Sequence, residues 1–102
     1  MRNILACATV VLWGCGSPPG PANHAHFDSI QRQETRIEAA ANVVFDEDRS
    51  CPERTAASDE ACGAAERICT IAAEVEDHDA SARCDEASHR CGAMQRAAAN
   101  CS

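Results

Sequence analysis

The chain has no lysine and no tyrosine, and only 3% of its residues are aromatic. Its nine basic residues are therefore all arginines, and with 16 acidic residues the formal charge is −7. Nucleic-acid binding needs a basic face that neutralises phosphates and, for single strands, aromatic side chains on which bases stack. The composition provides neither surface, so we expect no nucleic-acid partner.

Long apolar runs are also missing. The longest uncharged apolar run begins at Ile4, ends at Trp13 and contains ten residues. A helix needs about 20 apolar residues to cross the ~30 Å hydrocarbon core of a bilayer. Because the run is short and follows the positively charged Arg2, residues 1–14 are typical of a signal peptide rather than of a membrane span.

The end of this segment resembles the lipobox of bacterial lipoproteins. Leu12, Gly14 and Cys15 match the family pattern, whereas Trp13 departs from it, since that place usually holds Ala, Ser or Thr. The resemblance implies cleavage before Cys15, a diacylglyceryl group on its sulfur and an acyl chain on its new amine. Several acyl chains hold a protein stably on a bilayer. An ordinary secretory signal that happens to contain cysteine is the alternative.

The resemblance also implies a location and a tether. Gly16 stands where the enteric sorting rule places Asp for retention in the inner membrane, so we expect the outer membrane. Residues 15–26 are rich in proline and glycine, which disfavour helix and sheet. We therefore predict a signal peptide over 1–14, a lipid anchor with a flexible tether over 15–26, and a folded domain over 27–102.

Cysteine is abundant, with eight residues in the chain of 102. If Cys7 leaves with the signal peptide and Cys15 carries the lipid, six cysteines remain. They are Cys51, Cys62, Cys69, Cys84, Cys91 and Cys101. An even number of cysteines in a small exported chain predicts disulfides, and six cysteines allow 15 connectivities.

Helical spacing selects one of these connectivities. Cys62 and Cys69 are two helical turns apart, and so are Cys84 and Cys91, so each pair lies along one stripe of a helix. An antiparallel hairpin that turns near residue 76 would set each cysteine opposite a partner. The predicted disulfides are nested: Cys69–Cys84, Cys62–Cys91 and Cys51–Cys101.

Capping residues give the bounds of the hairpin helices. Ser50 and Glu53 are typical of a capping box, and Pro52 stands in the first turn, where its missing N–H costs nothing. These residues predict a helix over 51–76. A second helix is predicted over 80–101, with Asp79 as its N-cap.

A further helix is predicted over 28–45, with a capping box of Asp28 and Gln31. We expect it to lie along an apolar stripe of helix 51–76 and to touch helix 80–101 only lightly. That stripe consists of Ala61, Ala64, Ile68, Ile71 and Val75. The predicted fold class is all-α, a small disulfide-stapled antiparallel helical hairpin plus one packed N-terminal helix in a three-helix arrangement.

The twin Cys-x6-Cys pattern resembles small uncharacterised helical-hairpin lipoproteins of bacteria. Its arrangement, with one pair of evenly spaced cysteines on each of two helices, is also similar to that of the twin Cys-x9-Cys hairpins of mitochondria. The spacing differs from the mitochondrial pattern, and the resemblance implies no function.

No motif indicates catalysis or a cofactor. Cys62 and Cys69 would lie about 10.5 Å apart along a helix, whereas the thiolates that bind one zinc ion lie within about 4 Å of each other. The sequence contains no Cys-x2-Cys redox motif and none of the common hydrolase or phosphate-binding motifs. We therefore predict no enzyme activity, no cofactor and no metal site.

The predicted function is that of a non-catalytic cell-envelope lipoprotein, a structural or protein-interaction module held near a membrane. Its expected partners are the membrane, through the lipid anchor, and an envelope protein. Two alternatives stay open. One is weak divalent-metal binding by His24 and His26, and the other is a role as accessory or inhibitor subunit of an envelope enzyme.

Overall fold

The computed structural model describes residues 20–102, which form three helices: α1 (His24–Val44), α2 (Cys51–Glu74) and α3 (His78–Ala99). The hairpin of α2 and α3 is stapled by three disulfides, and α1 lies along it. Within residues 20–102 there is no strand, and the one extended pairing is an isolated bridge between Gly20 and Val75. The predicted all-α three-helix arrangement is confirmed. The predictions for residues 1–14 and for Cys15 lie outside the described residues.

Helix α2 begins as predicted but ends two residues earlier. The Ser50 hydroxyl accepts a hydrogen bond from Glu53 N, and the Glu53 carboxylate accepts one from Ser50 N. At the other end the helix stops at Glu74, because Val75 takes an extended conformation and buries its side chain, leaving 6% of it exposed.

The prediction that Asp79 caps α3 is wrong. Asp77 is the N-cap, and its carboxylate accepts a hydrogen bond of 2.9 Å from Ala80 N. Since Val75 already leaves the helical path, the turn lies two residues earlier than predicted. Asp79 lies in the first turn of α3 and pairs with Arg83.

Helix α1 begins at His24, so the prediction of a cap at Asp28 is wrong. Asn23 and His26 form the capping box: Asn23 Oδ1 accepts from His26 N, and His26 Nδ1 accepts from Asn23 N, both at 3.0 Å. The last residues of the predicted tether are therefore helical. The chain is held just before this helix, because Glu76 N donates a hydrogen bond of 2.6 Å to the Gly20 carbonyl.

The core lies between α1 and the hairpin and consists of small side chains. Its buried apolar residues are Ile30, Ile37, Ala40, Val44, Ala61, Ala64, Ala65, Ile68, Val75, Ala80, Ala87 and Met94. Ile71, predicted to lie in the stripe of α2 that α1 covers, is only partly buried. Helix α1 packs mainly on α2, as predicted. Helix α3 also contributes a buried stripe, formed by Ala80, Ala87 and Met94 at intervals of two turns. Half of the core residues are alanines, so the area that each helix buries is modest.

Candidate functional site

Three disulfides join α2 to the antiparallel helix α3 and to Cys101 just beyond its end. The bonded pairs are Cys51–Cys101, Cys62–Cys91 and Cys69–Cys84, which is the nested order that the spacing predicts. The Cα–Cα distances are 5.7, 4.8 and 4.7 Å in that order. These distances lie within the range of about 4.4 to 6.8 Å that a disulfide requires.

The open end of the hairpin is held by Arg54. Its Nε donates a hydrogen bond of 2.7 Å to the carbonyl of Val44, near the end of α1. Its Nη1 donates to Cys101 Sγ at 3.3 Å. One half-buried guanidinium therefore ties α1 to the outermost disulfide, and it satisfies a helix-end carbonyl that has no partner inside its own helix.

A shallow groove between α1 and α3 carries a second bridging arginine. Arg83 Nη1 lies 3.3 Å from Glu34 Oε1, and Arg83 Nε lies 3.3 Å from Asp79 Oδ2. Its guanidinium carbon also stands 5.5 Å from the centre of the Phe27 ring. The carboxylate of Glu34 interrupts an apolar face of α1, and its ion pair with Arg83 joins α1 to α3.

The side chains along this groove are polar or charged except where it meets the core. Its lining includes Thr35, Glu38, Glu86 and Arg90 beside the Arg83 pair. No serine, cysteine or histidine lines the groove in this part of the chain. Its polar lining consists of carboxylates, guanidinium groups, one amide and one threonine hydroxyl.

His24 and His26 do not form a chelating pair. They are two positions apart in a helix, so their side chains point in nearly opposite directions, about 160° apart around its axis. His24 is exposed and lies 3.9 Å from Asp28, whereas His26 uses Nδ1 to accept the Asn23 N–H. Among residues 20–102, no three or more His, Cys, Asp or Glu side chains are grouped so that they could hold a metal ion.

The closed end of the hairpin is acidic and adjoins the start of the described chain. The turn is surrounded by Glu74, Glu76, Asp77 and Asp79, and the carbonyl of Gly20 is bound there.

At the open end, Phe45 is the one large apolar side chain of residues 20–102 that is exposed, at 56%. No helix within the described range is long and apolar enough to cross a membrane.

Sequence reasoning missed Arg54 and Arg83, which each join parts of the chain that are far apart in sequence. Arg54 contacts a sulfur 47 residues away, and Arg83 contacts a carboxylate 49 residues away. A local signal existed only for Asn23, a residue type favoured at N-caps that precedes a helical segment.

Comparisons with family models, with curated proteins and with solved structures find no match to this chain.

Proposed function

We propose that this protein is a non-catalytic interaction module of the bacterial cell envelope, lipid-anchored through Cys15 on the outer membrane. The observation that carries the proposal is the set of three nested disulfides in a small helical domain. Structural disulfides persist in oxidising compartments and are rare in the reducing cytosol. The signal-like segment over 1–14 and the lipobox resemblance around Cys15 point to the same export route.

The position of Gly20 supports an orientation for the anchored domain. Cys15 and Gly20 are five residues apart, which limits their separation to about 18 Å even in a fully extended chain. Gly20 is bound at the closed end of the hairpin through its carbonyl. A lipid on Cys15 would therefore hold the closed end near the membrane and the open end away from it.

The acidic closed end gains no electrostatic attraction to anionic headgroups, so the proposed lipid on Cys15 is what must hold this end at the membrane. The carboxylates at this end, which include Glu74 and Glu76, would be repelled by anionic headgroups. The groove between α1 and α3 and the open end with Phe45 then face the envelope space, where a protein partner would dock.

Labelling with palmitate tests the anchor. Cells that express the wild-type protein, Cys15→Ser or the matched control Cys7→Ser are labelled, and the purified protein is assayed. We expect label on the wild type and on Cys7→Ser and none on Cys15→Ser, with the labelled protein in the outer-membrane fraction. Label that persists on Cys15→Ser, or cysteines that are all free thiols in the exported protein, would refute the proposal.

Site-specific photocrosslinking tests the partner and the orientation. A photoreactive amino acid replaces Phe45 at the open end, Glu86 in the groove, or His78 at the closed end. We expect discrete protein adducts from at least one of the first two positions and none from the third. Adducts from His78 alone, or none from any position, would count against the proposed interaction module.

A further inference from the structure

The outermost disulfide differs from the other two in its surroundings. Cys51 is the first residue of α2, and Cys101 lies beyond the last residue of α3. Neither of them packs against the core, whereas Cys84 and Cys91 of the inner disulfides do. Opening the Cys51–Cys101 bond therefore requires movement of the chain after Ala99 but no change in the packed helices.

The outermost disulfide also has a cation in contact with one of its sulfurs. Arg54 Nη1 lies 3.3 Å from Cys101 Sγ, and Arg54 is fixed there by its second hydrogen bond, to Val44. A neighbouring arginine favours the thiolate form of a cysteine. In thiol–disulfide exchange, a sulfur that is more stable as a thiolate is displaced faster.

The innermost disulfide has a different environment. The sulfur of Cys69 lies 3.5 Å from the carbonyl oxygen of Cys84 and 3.5 Å from the Ser88 hydroxyl. A disulfide sulfur carries no hydrogen, so the first contact places two electron-rich atoms side by side. Negative charge that develops on Cys69 would be repelled by that carbonyl, and the neutral Ser88 hydroxyl stabilises an anion less than a guanidinium does.

We propose that Cys51–Cys101 is a thiol-exchange site whose substrate is an exogenous thiol. The thiolate of that thiol attacks Cys51 Sγ, the bond between the two cysteine sulfurs breaks, and Cys101 leaves as a thiolate beside Arg54. The product is a mixed disulfide on Cys51. A second exogenous thiolate then releases Cys51 as a thiolate and carries away the oxidised pair.

Cys101 rather than Cys51 is the leaving group because the direct contact outweighs the helix field. Cys51 lies at the positive end of α2, where the helix dipole stabilises an anion. A direct hydrogen bond from a charged donor stabilises an anion more strongly than the field at an exposed helix end. While this bond is open, the inner disulfides keep the hairpin covalently closed.

Glutathione and peptide mass spectrometry test the site. The full chain with Cys7→Ser and Cys15→Ser is oxidised, exposed briefly to glutathione, and alkylated to trap free thiols. We expect glutathione on Cys51, alkylation on Cys101, and the other four cysteines still paired. Glutathione that appears first on an inner disulfide, or on Cys101, would overturn the proposal.

Substitution of Arg54 separates its effect on the leaving group from a structural effect. Arg54→Gln should slow glutathione attack on the outer disulfide by about threefold or more, because the leaving thiolate loses its cation. Arg54→Lys should restore most of the rate. Arg67→Gln is the matched control, because the Arg67 guanidinium also binds α1, through Gln33, but lies away from the outer disulfide. If Arg54 only held the open end together, its loss would expose the disulfide and speed the reaction. An unchanged or faster rate in Arg54→Gln therefore contradicts the proposal.

Discussion

Single residues determine where the longest helix of this protein starts. Ser50 and Glu53 exchange three hydrogen bonds, in which backbone N–H groups and the Ser50 hydroxyl find partners at the beginning of α2. The bond from the Ser50 backbone N–H, followed by the one from its hydroxyl, holds the pKa of Glu53 below its ordinary value. The start of α2 therefore depends on two side chains that are both exposed.

Ser50→Ala should lower the free energy of unfolding by about 1 kcal/mol, since the amide of Glu53 loses its acceptor. Urea titration of the oxidised protein measures the change. Ser81→Ala is the control, because Ser81 is an exposed residue inside α3 and not a cap. Equal unfolding midpoints for Ser50→Ala and wild type would show that the capping box does not contribute.

Glu53→Gln should remove part of the acid sensitivity of the protein. The pKa of Glu53 is lower in the folded chain than in the unfolded chain. Its stabilising effect is therefore complete above the unfolded pKa and is lost as the pH falls through the folded pKa. Unfolding midpoints of wild type and Glu53→Gln, measured from neutral to acidic pH, should converge towards low pH. A constant difference at every pH would contradict this assignment.

At the scale of elements, α1 differs from the other helices because no disulfide joins it to the rest of the fold. Its attachment depends on buried side chains such as Ile30, Ile37 and Val44. Arg83 adds a contact from the hairpin to Glu34 in the middle of α1, and Arg54 adds one to Val44 at its end. We therefore expect α1 to separate locally while the hairpin remains intact.

Ile37→Ala tests this local separation. Ile37 is only 1% exposed, and truncation of a buried isoleucine costs about 2 to 5 kcal/mol. Hydrogen exchange should show faster exchange of the α1 amides, while the amides of α2 and α3 between the inner disulfides keep their protection. The exposed neighbour Glu38→Ala is the control. Equal loss of protection in all three helices would indicate a single cooperative unit instead.

At the scale of the whole molecule, covalent bonds replace a large core. The largest fully buried side chains are three isoleucines, a methionine and a valine, and much of the remaining core is alanine. Burial of such small surfaces offsets little of the conformational entropy lost on folding. Closure of the loop between Cys69 and Cys84, which are 15 residues apart, contributes about 3 kcal/mol in the chain-entropy model.

Complete reduction should therefore abolish cooperative unfolding. We expect the protein treated with excess phosphine reductant to lose most of its helical circular dichroism at neutral pH and to show no sharp urea transition. Oxidised protein in the same buffer without reductant is the control. A reduced protein that unfolds cooperatively at the same urea concentration would mean that the core suffices without the disulfides.

The sequence by itself determined the all-α class, the start of α2 at Ser50 and the antiparallel arrangement of its cysteines. These follow from local periodicity, since two-turn spacing repeats along each helix and places the six cysteines at matching distances from one turn. Only the tertiary structure decided that α1 begins at His24, that Asp77 caps α3 and that Arg54 contacts a disulfide. The Arg54 contact depends on a partner 47 residues away, about which local spacing carries no information. The caps of α1 and α3 are themselves local, but packing decides which candidate residue becomes the cap, since Val75 is extended and buried just before Asp77, and Gly20 is held by Glu76 just before Asn23.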